Sequence, residues 1–198
     1  MKRIVSIILA LSTLILCAFP CYANAEPIED QVEYIYVDYD EFHGNREYYD
    51  TLLWEGYAII VNVGEEHADE EIARLTQPST TLHQLVPSLA RGTTPPTADY
   101  NVHNNPHYHF TCNANYDYLY TNYKFYGCEV YLIDGFNANY NNKLRIRAFS
   151  TSQGTIDFSV PARSSIYKVI GTGSASQRWY PMFYAPSDAY GEIYCIGH

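Results

Sequence analysis

The sequence predicts an all-β protein, an antiparallel β-sandwich of immunoglobulin-like size preceded by an acidic arm of strand and short helix. Two observations carry this reading. From residue 100 onward, short runs rich in Tyr, Phe, Ile and Val recur between Asn-, Gly- and Ser-rich turns, the signature of an antiparallel sandwich. The acidic residues crowd into one early stretch: residues 26–71 hold 15 acids and one base, Arg46, whereas residues 72–198 hold seven acids and nine bases. A hydrophobic fraction of 47% in 198 residues excludes wholesale disorder. The net charge of −10 argues against nucleic acid as a partner, because duplex affinity comes mainly from cations neutralising phosphates.

The chain opens with Lys2 and Arg3, then an apolar run over residues 4–19, then Cys21-Tyr22-Ala23-Asn24-Ala25. This is the charged, apolar and small-residue order of a secretory signal peptide over residues 1–25, with cleavage after Ala25. The rival, an uncleaved anchor, is disfavoured because the run falls short of the roughly 20 residues needed to span hydrocarbon. A lipoprotein reading would use Cys17, but large Leu16 precedes it. Cleavage takes the charge from −10 to −12 by removing Lys2 and Arg3. No transmembrane anchor is expected in the mature chain, so the product is predicted to be secreted.

Residues 26–77 form the acidic segment. Gln31 to Tyr39 has strong strand propensity. So does Gly56 to Val63, in which Tyr57, Ile59, Val61 and Val63 share one face at period two. The two runs are expected to form a hairpin that docks on something larger, since two strands alone are marginal. Residues 65–77 read as a short helix: Ala68, Ile72 and Leu75 fall on one face, acids lead, and Arg74 lies near the end. Residues 78–99 contain Pro78, Pro87, Pro95 and Pro96 among Ser and Thr, the composition of a linker.

The sandwich domain is assigned to residues 100–198, with strands expected at 107–112, 118–126, 128–133, 143–149, 155–160, 165–170, 179–184 and 191–196. In Lys143-Leu144-Arg145-Ile146-Arg147 the charges alternate onto the wet face and Leu144 and Ile146 point inward. Of the three cysteines in the mature chain, Cys128 and Cys195 both lie in strand-like runs. They are the favoured disulfide in an oxidising compartment. Three buried thiols, with Cys112, are the alternative.

Tyr120-Thr121-Asn122-Tyr123-Lys124-Phe125-Tyr126-Gly127, Val160-Pro161-Ala162, Tyr184-Ala185-Pro186-Ser187 and Gly191-Glu192-Ile193 together resemble a loose group of small secreted proteins of Gram-positive bacteria. The resemblance covers about half the chain. It implies export and a C-terminal β-sandwich, and it carries over no catalytic residue.

Two clusters carry candidate chemistry. His103, His107 and His109 lie close in sequence, and on a strand His107 and His109 share a face, where imidazoles could hold a divalent metal. The spacing is not one of the specific zinc patterns. Tyrosine, at 21 residues, is the most unusual feature. Tyr supplies broad, rigid, amphipathic contact area, and it also suits half-buried strands. The densest patch places Tyr116, Tyr118, Tyr120 and Tyr123 as ligand-contact candidates. Gly171-Thr172-Gly173-Ser174-Ala175-Ser176 lacks the closing Lys of a phosphate loop and reads as a hairpin turn. The functional expectation is therefore a secreted, non-catalytic binding protein, with no cofactor, whose partner is an extracellular protein or glycan. The alternative is a metal-dependent hydrolase built on the three histidines.

Overall fold

The computed structural model describes residues 32–76, 92–115 and 117–197. The expected signal peptide, Tyr116 and most of the expected linker lie outside them. The fold is all-β and sandwich-like, with three short helices among the described residues. In chain order it comprises β1 (Tyr34–Asp38), α1 (Tyr39–Gly44), α2 (Arg46–Trp54), β2 (Ala58–Asn62), α3 (Ala68–Thr76), β3 (Ala98–Asn101), β4 (His107–Ala114), β5 (Tyr118–Tyr120), β6 (Tyr123–Tyr126), β7 (Val130–Asn137), β8 (Leu144–Thr151), β9 (Gly154–Val160), β10 (Ser164–Gly171), β11 (Tyr180–Tyr184) and β12 (Ser187–Gly197).

The strands form a six-stranded sheet in the order β1-β2-β10-β7-β12-β4, a four-stranded sheet β5-β11-β8-β9, and a small pair β3-β6. All neighbours in the two large sheets are antiparallel except β1 and β2. The inner faces of the two large sheets meet in one core. Ile60, Phe110, Ile133, Ile166 and Ile193 come from the six-stranded side, and Ile146, Phe158 and Phe183 from the four-stranded side. Period-two alternation sends the other set of side chains outward. On the six-stranded sheet that second face is also apolar at Ile59, Val61, Leu132 and Tyr167, which pack on Phe42, Tyr49 and Leu53 of the helices. The result is three layers: helices, six strands, four strands.

The early acidic segment differs from the expected hairpin. β1 and β2 run parallel, joined through α1 and α2, and β2 pairs on its other side with β10. The reason lies in β2 itself, where Ala58, Ile59, Ile60 and Val61 are all buried. A strand apolar on both faces needs a layer on each side, so it lies inside the large sheet and not in an appended arm. The helix expected at 65–77 is present as α3, with Ala68 and Leu75 buried. The expected strand 118–126 breaks at Thr121-Asn122, and its halves join different sheets as β5 and β6. The end of the expected linker supplies β3, which pairs in parallel with β6.

Three details fix the sandwich. Cys128 and Cys195 form a disulfide that ties the start of β7 to β12, while Cys112 is a buried thiol with its Sγ 3.1 Å from Ser187 Oγ. Asn137, fully buried, donates its amide to the carbonyls of Asn142, Val160 and Pro161 and so locks the turn between β7 and β8 to the end of β9. Gly191 lies against the Phe110 ring, and a Cβ there would stand 2.6 Å from the Asp134 carbonyl. Only glycine fits that crossing.

Candidate functional site

The outer face of the four-stranded sheet gathers a row of mostly half-buried aromatic rings beside two arginines. On β8 the side chains of Leu144, Ile146 and Ala148 are buried in the sandwich, and Arg145, Arg147 and Phe149 alternate onto the other face. β11 runs beside β8 and sends Tyr180 and Tyr184 to the same side, with Phe183 inward. β5 completes the edge with Tyr118 and Tyr120, its Leu119 packing against the core. The rings touch in a chain. Tyr118 lies 5.6 Å from Tyr120, Tyr120 lies 5.8 Å from Tyr180, and Tyr180 stacks on Phe149 at 5.1 Å. Arg145 and Arg147 lie over the Tyr184 ring at 4.8 Å and 5.6 Å.

Asp157, on neighbouring β9, is the anchor of this face. Its buried carboxylate accepts two bonds from Arg147, at 2.9 Å from Nε and 2.8 Å from Nη2, and stands 3.5 Å from Arg145 Nη2. Donating to Asp157 strengthens Arg147's hold on its proton. Both guanidiniums nevertheless stay partly open, at 31% and 22% of their side-chain surface. Desolvation by burial raises the Tyr120 pKa. The arrangement offers stacking surface, cation–π contact and oriented N–H donors, which is recognition chemistry.

The sequence-derived tyrosine candidates divide. Tyr118 and Tyr120 belong to this face, and Tyr116 lies outside the described residues. Tyr123 belongs elsewhere, because β6 carries it towards Tyr100 (5.5 Å) and Tyr108 (5.9 Å) at the end of the sandwich. Phe149, Tyr180, Tyr184 and the two arginines were missed as site residues. Period-two spacing on 143–149 and 180–184 placed them on a common parity, but which strands lie side by side is not written in either segment.

The histidines take a different form from the expected trio. β4 does put His107 and His109 on one face, the helix face, where Glu192 of β12 meets both: its Oε2 lies 3.1 Å from His107 Nδ1 and 3.8 Å from His109 Nε2. His109 Nδ1 is 3.0 Å from the Leu75 carbonyl, near the C-terminal end of α3, and His107 stacks on Tyr194. His103 sits in the turn ahead of β4. Among the described residues no group of three or more His, Cys, Asp or Glu is placed to hold a metal. The pair is spent on α3 and Glu192, and the expected three-histidine centre is not assembled.

Beside it lies a buried charge network. Arg74 of α3 donates to both oxygens of Glu71 (2.9 and 2.7 Å), to both oxygens of Asp134 on β7 (2.7 and 2.8 Å) and to the Tyr167 hydroxyl (3.1 Å). Ser165 donates to Glu71 at 2.5 Å. Burial opposes ionisation of Glu71, but Arg74 and Ser165 outweigh it and hold the carboxyl below its usual range. Asp134 goes the other way: desolvation pushes it up to about 6 in spite of Arg74. The network fastens α3 to the sheet, and its polar atoms point at one another and not into a cleft.

No protein-family model, curated protein or solved structure matches this chain. The site is therefore read from its own geometry. Among the described residues no helix is long and apolar enough to cross a membrane.

Proposed function

We propose that this chain is an exported binding protein that grips an extracellular protein partner through the Tyr and Arg face of the four-stranded sheet. The observation that carries the reading is the convergence of Tyr118, Tyr120, Phe149, Tyr180 and Tyr184 with Arg145 and Arg147 on one outer face. Aromatic residues and Arg are the residue types enriched in the energetic centres of protein interfaces. Here the rings are braced against one another and the arginines against Asp157, so little side-chain freedom is left to lose on binding. Export is supported by the signal-peptide pattern of residues 1–25, and by the Cys128–Cys195 disulfide, a bond characteristic of oxidising compartments.

The test uses the chain from residue 26 onward, labelled and applied to an array of extracellular proteins and to a glycan array. The reading expects retention on protein features. Combined Tyr118→Ala, Tyr180→Ala and Tyr184→Ala should reduce it by roughly a hundred-fold, the loss of two or more interface anchors. Retention that survives these changes removes the face from the site. Retention on glycans alone replaces the partner class.

A further inference from the structure

A second site lies away from the aromatic face, along the sandwich edge where α2 and the β8–β9 hairpin approach β10. Three cavities adjoin there. One of about 390 Å³ is lined by Glu33, Glu55, Gln153 and Lys168 among others. A second, about 170 Å³, shares Gln153 and Lys168 with the first and adds Trp54, Ile156 and Val169. A third, about 320 Å³, shares Trp54 and Val169 with the second and ends at Arg46. Trp54 is 57% exposed, so an indole face stands open between them.

Lys168 is the unusual residue in this trough. It has the parity of Ile166 and Ile170 on β10, both core residues, and it sits opposite Ala58 of β2. Its stem is therefore in apolar surroundings, and only 7% of the residue is exposed. Its Nζ donates to the Gly56 carbonyl at 2.6 Å. An ammonium carries three N–H donors, and among the described residues no carboxylate stands within ion-pair distance of this one. Arg46, at the other end, is already paired with Asp50 at 2.8 Å. A buried cation without a counter-ion is unfavourable, and an anion from outside removes the imbalance. Desolvation alone lowers the Lys168 pKa to about 8, which leaves it mostly protonated near neutral pH.

We propose that this trough binds a small organic carboxylate, with its anionic head on Lys168 Nζ and its flat apolar body against Trp54. The trough volume is that of a small-molecule site. Lys168 and Trp54 line one of its cavities together, so a cationic group and an indole are offered to the same small molecule.

The probe is benzoate, with benzyl alcohol as the neutral counterpart of similar shape. Binding is followed by the fluorescence of Trp54, since the only other tryptophan, Trp179, is fully buried. It is also followed by the Nζ resonance and titration of Lys168. Benzoate should quench the indole and move the Lys168 pKa upward, and benzyl alcohol should bind more weakly by roughly ten-fold or more, the worth of one charge-assisted hydrogen bond. Lys168→Met should erase the preference for the acid. Trp54→Leu, at an exposed position that does not endanger folding, should weaken benzoate while leaving the Lys168 shift on binding in place. An N-acetylated tripeptide ending in phenylalanine forms the second arm. Tighter binding than benzoate assigns the site to a chain terminus, and weaker binding to a free acid. Absence of any Lys168 response to benzoate in the wild-type chain, or equal affinity for acid and alcohol, overturns the proposal.

Discussion

Replacing Asp134 with Asn removes one of two buried carboxylates that share the single guanidinium of Arg74, and the consequence depends on pH. With all three groups ionised, the cluster of Glu71, Arg74 and Asp134 carries an excess negative charge, and Glu192 adds to the repulsion felt by Asp134. Desolvation raises its carboxyl from 3.8 to about 6. A carboxyl with a higher pKa in the folded than in the unfolded chain takes up its proton more readily in the fold. Stability is then gained as pH falls from about 6 to about 4, and lost again as pH rises through the folded value. At about 1.4 kcal/mol per unit, the swing is about 3 kcal/mol. The amide does not titrate. The unfolding free energy of wild type minus that of Asp134→Asn should therefore rise by about 3 kcal/mol between pH 7 and pH 4. Urea titrations at fixed ionic strength measure it. Glu71, held low by Arg74 and Ser165, loses its contribution only as pH falls through its own depressed value. It does so in both proteins, and does not mimic the effect. A pH-independent difference refutes the reasoning. A difference that shrinks toward acid shows that the Arg74 pair, and not burial, governs Asp134.

Other outcomes follow from the packing. Cys128→Ser combined with Cys195→Ser should lower the unfolding free energy by roughly 2–4 kcal/mol in urea titrations, and a reductant should produce the same loss in wild type and none in the variant. Gly191→Ala places a Cβ 2.6 Å from the Asp134 carbonyl and against Phe110. The overpacking should cost about 1–3 kcal/mol and show as a lower melting temperature. Asp157→Asn keeps the shape of the anchor but removes its charge. It should free Arg145 and Arg147 from a common position and weaken partner retention by roughly ten-fold, with the loss visible as a faster dissociation and not as a slower association.

Much of the fold was legible because period-two alternation is a local signal. Leu144 and Ile146 inward with Arg145 and Arg147 outward, the shared face of Tyr57, Ile59, Val61 and Val63, and the apolar stripe of α3 all appear in the structure as read. The acidic helices α1 and α2 were missed. Their segment, residues 39–54, is so rich in Tyr and acids that strand propensity and charge masked the buried pair Tyr49 and Leu53, spaced by four. Helical spacing carried the information, but it was outweighed by aromatic content. The parallel pairing of β1 and β2 was not readable locally at all. It depends on β10, about a hundred residues later, arriving beside β2. The aromatic face shows the same division. Each of its strands announces its own outward residues, and only tertiary pairing brings Tyr120, Tyr180 and Phe149 into one surface. Lys168 was invisible for a related reason: a lone lysine in a strand reads as exposed until the neighbouring layers are known.

The three layers give the molecule an electrical direction. The helix side carries the acids of α1, α2 and α3, including Asp40, Glu41, Glu47, Asp69 and Glu70. The four strands on the opposite side carry Arg145 and Arg147 against Asp157 as their only acid. In a chain of net charge −10, an approaching partner with acidic groups is repelled by one side and drawn to the other. Such fields orient an encounter before any contact forms, and they fade with added salt. The six-stranded sheet separates the two sides physically as well, since among the described residues the helices pack on one of its faces and the four-stranded sheet on the other. The four-stranded sheet joins half-buried rings and two arginines on one outward face. Composition, bracing and field thus favour the same face.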